Sequence, residues 1–496
     1  MSIICVSVGR GRHRHLIAEH QHLAQNGAKL VELRLDCIQT KPNLSRLLAD
    51  KPCPVIITVR RLKDGGHWQH SETDRVMLLR QAIAAGVDYV DLEEDVAASI
   101  PRFGKTKRIV SLHNFQETPK DLSEIHSRLA GLNADIVKIA TMANSPLDNI
   151  AMLSLVKNAK VPTVGICMGD MGTPSRILTG KFGAPFSFAS FHAERTLAPG
   201  QLSFEQMKDI YNYEQINADT EVYGVIADPV GHSLSPLIHN AGFRNLNLNK
   251  VYVPFRVPRE MLGPFIRQCE TLGIHGLSVT IPHKEEILKY LKKTDDATKE
   301  IGACNTVVFR SGETLGLNTD YTAAMGAIDK VFGGTETAHG LAGKVALVLG
   351  AGGVSRAIAW GLKRRGVDVV ITSRTNEKAE ELARKLGCRS VSWAMRHSLT
   401  PRLIVNGTPL GMHPNVNETP YEAHYLREGV VVFDTVYNPE QTLLIKNARD
   451  VDCTTITGVD MFVGQAALQF RHFTGQDLQH EPLRQVVRRA INAARI

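Results

Sequence analysis

The sequence predicts an α/β protein: a closed N-terminal (β/α)8 barrel joined to a two-domain α/β region with a Rossmann-like nucleotide turn. Three observations predict it. Short β-branched runs alternate with amphipathic stretches of about 10–15 residues up to residue 210, as repeated βα units around a parallel sheet do. Eight such runs fit in that length, as a closed barrel requires, with an open doubly wound sheet as the alternative. Later, Gly350-Ala351-Gly352-Gly353 follows an apolar strand and opens a helical stretch.

Composition narrows the class. The 496 residues are 43% hydrophobic and 22% charged, ordinary globular values that exclude collagen-like, fibrous and disordered proteins. At roughly 100–200 residues per domain, two to four domains are expected. The net charge of +8 is spread, with 26 basic against 23 acidic residues through 219 and 32 against 27 beyond. With no long Lys/Arg run and 6% aromatics, it points to a mildly cationic enzyme for anionic small molecules, not to a nucleic-acid partner. The eight cysteines (5, 37, 53, 167, 269, 304, 388, 453) are too scattered for a disulfide scaffold or a zinc ribbon, so reduced thiols and no metal are expected. A short apolar run followed by Arg10, Arg12 and Arg14 reverses the order of a secretory signal, and no later segment approaches spanning length. The expectation is a cytoplasmic protein without a membrane partner.

The barrel strands are expected at 3–8, 30–35, 55–59, 89–92, 109–112, 136–139, 163–167 and 186–191. Polar residues fall at their C-terminal ends, where barrel enzymes place their chemistry. Glu32, Arg34 and Asp36 alternate with aliphatics on the second run, Arg60 ends the third, His113 the fifth, Lys138 lies in the sixth and Met168 ends the seventh. Residues 211–221 carry no apolar period and read as a linker. Strands follow near 222–227, 251–255 and 277–281, then a hairpin around Ser311-Gly312, a further α/β region from 343 and a helical tail from 460. The expected domains are 1–215, then 222–330 with 460–496, and 331–459.

Lys138 is flanked by Val137 and Ile139 on a strand expected to be buried. Burial disfavours an ammonium and frees the amine to attack a ketone or aldehyde. A lysine snorkelling to the barrel mouth is the plainer alternative. His113 crowns the neighbouring strand, where an imidazole can take the acidified proton beside an imine and return one to a leaving hydroxyl. The pair implies imine-assisted elimination or aldol cleavage. Glu32, Arg34, Arg60, Arg176 and Gln201 would give a polyhydroxylated anion its hydrogen bonds, arginine being suited to bidentate carboxylate contact.

In the second half the glycine turn has Ser355 where the strict dinucleotide pattern has its third glycine. The next strand ends in Ser373-Arg374-Thr375, with no Asp or Glu for ribose hydroxyls. Arg374 and Lys378 instead offer positive charge to a 2′-phosphate, which argues for NADP. Hydride transfer to a ketone leaves an alkoxide that needs a proton, and Lys284 beside Asp320 is the candidate donor pair. Asp320 could equally cap a helix over 321–332, and Lys284 be a first-turn surface lysine. Ser233-Leu-Ser235-Pro236 reads as a helix start, which is also a carboxylate site.

Residues 1–215 resemble type I 3-dehydroquinate dehydratases. The matching segments are Glu32-Leu-Arg34-Leu-Asp36, Thr58-Val-Arg60 with Asp64-Gly-Gly, Ser111-Leu-His113-Asn-Phe, Val137-Lys138-Ile139, Met168, Ser175-Arg176 and Ala198-Pro-Gly-Gln201. The resemblance implies that Lys138 forms an imine with the substrate ketone and that His113 removes the C2 proton and helps expel the C1 hydroxyl as water. It also implies that Arg176 holds the carboxylate and that Asp64 and Met168 contact substrate. Asp64 stands where the family usually has the glutamate that pairs with the catalytic histidine, and Leu197 where it often has serine.

Residues 222–496 resemble shikimate dehydrogenases through Gly231-His232-Ser233-Leu-Ser235-Pro, Val279-Thr280-Ile-Pro-His-Lys284, Ala303-Cys-Asn305-Thr-Val, Asn318-Thr-Asp320, the glycine turn, Ser373-Arg374-Thr375, Asn406-Gly-Thr408-Pro-Leu-Gly, Val436-Tyr437-Asn-Pro and Met461-Phe-Val-Gly-Gln465. That resemblance implies carboxylate binding by Ser233 and Ser235, and hydroxyl binding by Thr280, Asn305, Asp320 and Gln465. It adds substrate contact by Tyr437 and a catalytic Lys284–Asp320 pair. For NADP it implies Gly350, Ala351, Gly352, Gly353, Val354, Ser373, Arg374, Thr375, Lys378 and Thr408. Ala323 replaces a glycine often found after the aspartate. Together the halves resemble the fused shikimate-pathway enzymes of plants and some bacteria, which dehydrate 3-dehydroquinate and reduce the product to shikimate with NADPH. A catalytically silent barrel, and a quinate dehydrogenase using NAD, are the competing readings.

Overall fold

The computed structural model describes residues 2–231, 233–310, 312–333 and 340–493. The chain divides into two compact units, Met1–Pro236 with Phe243–Ile274, and Leu237–Gly242 with His275–Ile496.

In the first unit, eight strands run β1 (Ile3–Val8), β2 (Leu30–Arg34), β3 (Val55–Thr58), β4 (Tyr89–Glu93), β5 (Lys107–Asn114), β6 (Ile136–Met142), β7 (Thr163–Met168) and β8 (Phe186–Ser190). Each pairs in parallel with the next from β1 to β7, and β1 also pairs with β8. The sheet order β7-β6-β5-β4-β3-β2-β1-β8 makes a near-closed barrel and not an open doubly wound sheet, whose order reverses midway. Helices cover the outer face, so the strands are buried on both sides and read as almost continuous apolar runs. Local signals set the helix starts. Ser71 accepts from Asp74 N ahead of the helix Glu72–Ala84, and Ser145 with Asp148 forms a capping box with Pro146 at the first turn of Pro146–Asn158.

Residues 211–216 are not the free linker that their polarity predicts. Tyr211 and Tyr213 are buried, the Tyr213 hydroxyl lies 2.7 Å from Ser2 Oγ, and Glu214 accepts from Lys29 Nζ at 2.5 Å. The segment packs under the start of β1. Two tyrosines among polar neighbours leave no helical or alternating period, which is why the pattern missed it. Beyond it, β9 (Glu221–Ala227) and β10 (Lys250–Arg256) pair in parallel from Glu221↔Lys250 to Ala227↔Arg256.

The second unit holds β11 (Ile274–Val279), β12 (Lys293–Thr294), β13 (Thr306–Arg310) and β14 (Glu313–Leu317). β13 is antiparallel to both β11 and β14, and β12 adds in parallel to β14. The hairpin residue Ser311 lies outside the described residues, as does His232 of the serine segment. Then come β15 (Val345–Leu349), β16 (Asp368–Thr372), β17 (Arg389–Ser390), β18 (Leu403–Asn406), β19 (Val431–Asp434) and β20 (Thr454–Ile456), all parallel. Their spatial order β17-β16-β15-β18-β19-β20 is the doubly wound order 3-2-1-4-5-6, with its reversal between β15 and β18. Apolar clusters cover both faces, Val348, Ile358 and Phe433 in one and Leu347, Ile404 and Val432 in the other. The tail forms the helices Gly458–Thr474 and His480–Ala493, the first opened by a Thr457/Asp460 capping box. Among the described residues no helix is long and apolar enough to cross a membrane.

Candidate functional site

Inward-facing residues of the barrel follow the strand period of two and form layers. The lowest is apolar, with Cys5, Leu30, Ile56, Ile109, Ile136, Val164 and Phe186 packed together. Two residues further along the strands the layer turns polar. Glu32 accepts from Ser7 Oγ (2.5 Å) and Thr58 Oγ1 (2.7 Å), and Asp91 accepts from Ser111 Oγ (2.6 Å) and Lys138 Nζ (3.0 Å). The next layer carries Arg34, Arg60, Glu93 and His113. Above it lies a cavity lined by Glu32, Arg34, Arg60, Asp64, His113, Lys138, Met168, Arg176 and Gln201 among others. Every barrel residue singled out for chemistry from sequence thus reaches one cavity.

The surroundings of Lys138 correct one expectation. Its chain neighbours predict a lone amine among aliphatics, yet Nζ is paired with Asp91, lies 3.9 Å from Glu32 Oε1, and sits 4.1 Å over the Phe188 ring. Val137 and Ile139 point to the opposite face, so sequence neighbours do not define the environment of a strand side chain. Asp91 also takes Arg60 Nη2 at 2.8 Å. Burial alone would raise its pKa, but the Arg60 and Lys138 cations outweigh burial and hold it far below the usual carboxylate range. Asp91 and Glu93, which accepts from Arg60 (2.8 Å) and Arg75 (2.6 Å), were missed from sequence. Their spacing on β4 repeats that of Glu32 and Arg34 on β2, a signal that was available.

Burial, then the Arg60 and Lys138 cations, push the His113 pKa well below its ordinary value despite Asp91. The ring is therefore a neutral base, and its buried Nδ1 has no hydrogen-bond partner among the described residues. The Asp64 carboxylate, the expected histidine partner, is instead held by Arg61 Nε at 2.6 Å. Arg34 is bidentate to Asp36 (2.9 and 2.7 Å), and Arg60 is saturated by Asp91 and Glu93. Arg176 differs. It is buried, among the described residues it donates only to Pro199 O at 3.0 Å and leaves Nε unpartnered, and burial lowers its pKa to about 10. A guanidinium desolvated without a carboxylate is costly unless an anionic ligand completes it.

In the second unit Lys284 Nζ lies 2.6 Å from Asp320 Oδ2. The cap of the helix Thr319–Phe332 is Asn318, whose Oδ1 accepts from Tyr321 N at 3.0 Å, so Asp320 is free of the capping role that the sequence left open. Asn305 is buried and spends its amide internally. Its Oδ1 accepts from Thr319 N (2.8 Å) and its Nδ2 donates to Thr319 Oγ1 (2.9 Å), so it fixes the start of the helix that bears Asp320. Gln469, another residue missed from sequence, donates to Asn305 O and Thr306 Oγ1 and accepts from Ser278 Oγ. Thr280 is half-buried, Tyr437 stacks on Phe462 with centroids 4.4 Å apart, and Gln465 Nε2 donates to Phe462 O at 3.0 Å. In the first unit Ser233 Oγ accepts from Ser235 N at 3.3 Å, where the helix Ser235–Asn245 begins.

The glycine turn sits at the reversal of the six-stranded sheet. Gly350 has φ +108°, and Gly352 caps the helix Gly353–Arg364 without a side-chain cap hydrogen bond among the described residues. Ser355 takes the third glycine's place because the opposing loop supplies the close approach: a Cβ at Gly407 would lie 2.1 Å from Ser355 Oγ. Next to it, Thr408 Oγ1 donates to Asn406 Oδ1 at 2.7 Å, and Asn406 Nδ2 donates to Asp434, whose carboxyl burial raises to about 6. A Cβ on Gly353 would meet Lys284 Cδ at 3.4 Å, which puts the turn beside the lysine–aspartate pair. Arg374 and Lys378 are exposed after β16 and make no ion pair among the described residues. Bare helix amides at the turn, with two free cations one strand away, fit a dinucleotide carrying a 2′-phosphate.

Residues 4–218 match the family described as type I 3-dehydroquinase. Residues 225–307 match the shikimate dehydrogenase substrate binding domain, 334–402 shikimate/quinate 5-dehydrogenase, and 458–491 the shikimate 5′-dehydrogenase C-terminal domain. A chloroplastic bifunctional 3-dehydroquinate dehydratase/shikimate dehydrogenase of Arabidopsis thaliana is 37% identical over 497 residues, covering 96% of this chain and 82% of the relative. A shikimate dehydrogenase (NADP(+)) of Bacillus cereus (strain B4264) is 39% identical over 54% of this chain and 97% of its own. Among solved structures, a shikimate dehydrogenase in complex with NADP+ is similar at TM-score 0.52 and 38% identity, covering 56% of this chain and 97% of that one. The Thermus thermophilus enzyme, with NADP(H) and shikimate, gives 0.50 and 31%, covering 55% and 100%. With both halves matched in one relative across 96% of this chain, the chain belongs to the bifunctional 3-dehydroquinate dehydratase/shikimate dehydrogenase family.

Proposed function

We propose that this chain dehydrates 3-dehydroquinate in the barrel and reduces the resulting 3-dehydroshikimate to shikimate in the C-terminal half. The observation that carries the first step is Arg176, a buried and uncompensated guanidinium in the same cavity as Lys138 and His113. Its free Nε suits the substrate carboxylate. The Lys138 amine attacks the ketone carbon, and loss of water leaves an imine. Neutral His113 then removes the C2 proton, and the electron pair expels the C1 hydroxyl, which takes that proton back from His113 and leaves as water. Hydrolysis of the imine restores the amine. Asp91 keeps Nζ aimed into the cavity, and Glu32 offers a hydrogen bond to a ring hydroxyl.

In the second half Thr280, Asp320 and Gln465, all of the second unit, are assigned to the substrate hydroxyls. Lys284 delivers a proton to the carbonyl oxygen while Asp320 orients its ammonium at 2.6 Å. NADPH, when bound, supplies the hydride for the ketone carbon. Its pyrophosphate would lie on the amides from Gly350 to Val354, and its 2′-phosphate on Arg374, Thr375 and Lys378. The corresponding domains are 1–215, then 222–330 with 460–496, and 331–459. Eight cysteines, all free thiols, suit a reducing cytoplasmic compartment. Borohydride added with 3-dehydroquinate tests the barrel assignment: a covalent adduct on Lys138 is expected, and a silent barrel would yield none.

A further inference from the structure

The loop after β8 forms one side of the barrel cavity. Leu197, Ala198 and Gln201 line it, and Pro199 O accepts from the Arg176 guanidinium. Between β8 and this stretch, residues 192–196 are exposed and belong to no helix or strand. One carboxylate braces that arch. Glu19, on the helix His13–Gln25, accepts from Arg195 Nη1 at 3.0 Å and faces Arg10 Nε at 3.2 Å, with its own side chain only 12% exposed. Arg10 lies in the loop after β1 and Arg195 in the loop after β8, so a single side chain joins the loops on both sides of the β1–β8 seam. The same helix and arch touch again through His22 and Phe191, ring centroids 5.9 Å apart.

A wall that is only part-time in place scales apparent affinity by the fraction of molecules in which it is closed, and leaves the chemistry of the closed complex unchanged. A carboxylate shared by two guanidiniums in a partly buried position holds its geometry better than a single exposed ion pair. We propose that Glu19 is a positioning residue for the dehydration site, clamping the 192–201 loop so that Leu197, Ala198 and Gln201 complete the cavity. The proposal rests on assigning the barrel to dehydration.

Steady-state dehydration of 3-dehydroquinate by the full chain tests it. Glu19→Gln and Arg195→Glu are each expected to raise KM about fivefold with kcat within about twofold. Because Arg10 also faces position 19, the swap exchanges all three charges, and the Glu19→Arg/Arg10→Glu/Arg195→Glu chain should recover most of that loss. A dehydration kcat within that range in the same preparations reports that the barrel itself is intact. If Glu19→Gln fails to fold, the exposed Arg195 site still decides the matter. Unchanged KM in the single variants, or a swap no better than either of them, overturns the role of Glu19. Absence of dehydration by the unmodified chain overturns the barrel assignment instead.

Discussion

Arg176 is buried among barrel residues without a counter-charge, and that is an expensive way to fill space. Its neighbour Arg60 is equally buried but carries two carboxylates of its own. The difference marks Arg60 as part of the frame and Arg176 as a receptor for something anionic. Replacing it separates stability from function. Arg176→Gln is expected to raise the dehydration KM by about 30- to 100-fold, the worth of a charge-assisted hydrogen-bonded contact. Its thermal midpoint should not fall, because the substitution removes an unpaired buried charge. A variant that melts well below the parent would mean that Arg176 serves the fold.

At the level of elements, chemistry depends on how a helix begins. Asn318 caps Thr319–Phe332, bonds Ala303 O through Nδ2 (2.8 Å), and so leaves Asp320 in the first turn with its carboxylate directed to Lys284. A carboxylate there also gains from the helix dipole. Asn318→Ala is expected to cost about 1 kcal/mol of stability. It should also lower kcat for shikimate oxidation while leaving dehydration unchanged, and denaturant melts with paired assays of both reactions would check this. The barrel strands make the same point, since a period of two puts Glu32 and Arg34, or Asp91 and Glu93, on one inner face. Such strands deliver charge to a cavity without any one of them being unusual in sequence.

For the whole molecule, the proposed function predicts two activities with separate nucleophilic and acid–base centres, each assembled inside its own compact unit in the case of Lys138 and of Lys284–Asp320. Lys138→Ala is expected to abolish turnover of 3-dehydroquinate while reduction of supplied 3-dehydroshikimate stays within about twofold of the parent. Lys284→Ala should convert 3-dehydroquinate normally and accumulate 3-dehydroshikimate in the presence of NADPH. Product analysis distinguishes the two, and loss of both reactions in either variant would contradict independent centres.

Much of this was legible in the chain. The eight barrel strands, the glycine turn with Arg374, and the residues lining the barrel cavity follow from periodicity and from motifs, because strand and helix periods are local properties. Pairings were less accessible. That Lys138 meets Asp91 and that Tyr213 folds under β1 depend on residues far apart in sequence. The order of residues was enough to say which side chains stand at the strand ends and which turns are bare enough for a dinucleotide. Which cations keep a counter-ion, and which await one, was settled only on folding, because a desolvated charge is satisfied or stranded by what the fold brings within hydrogen-bond reach.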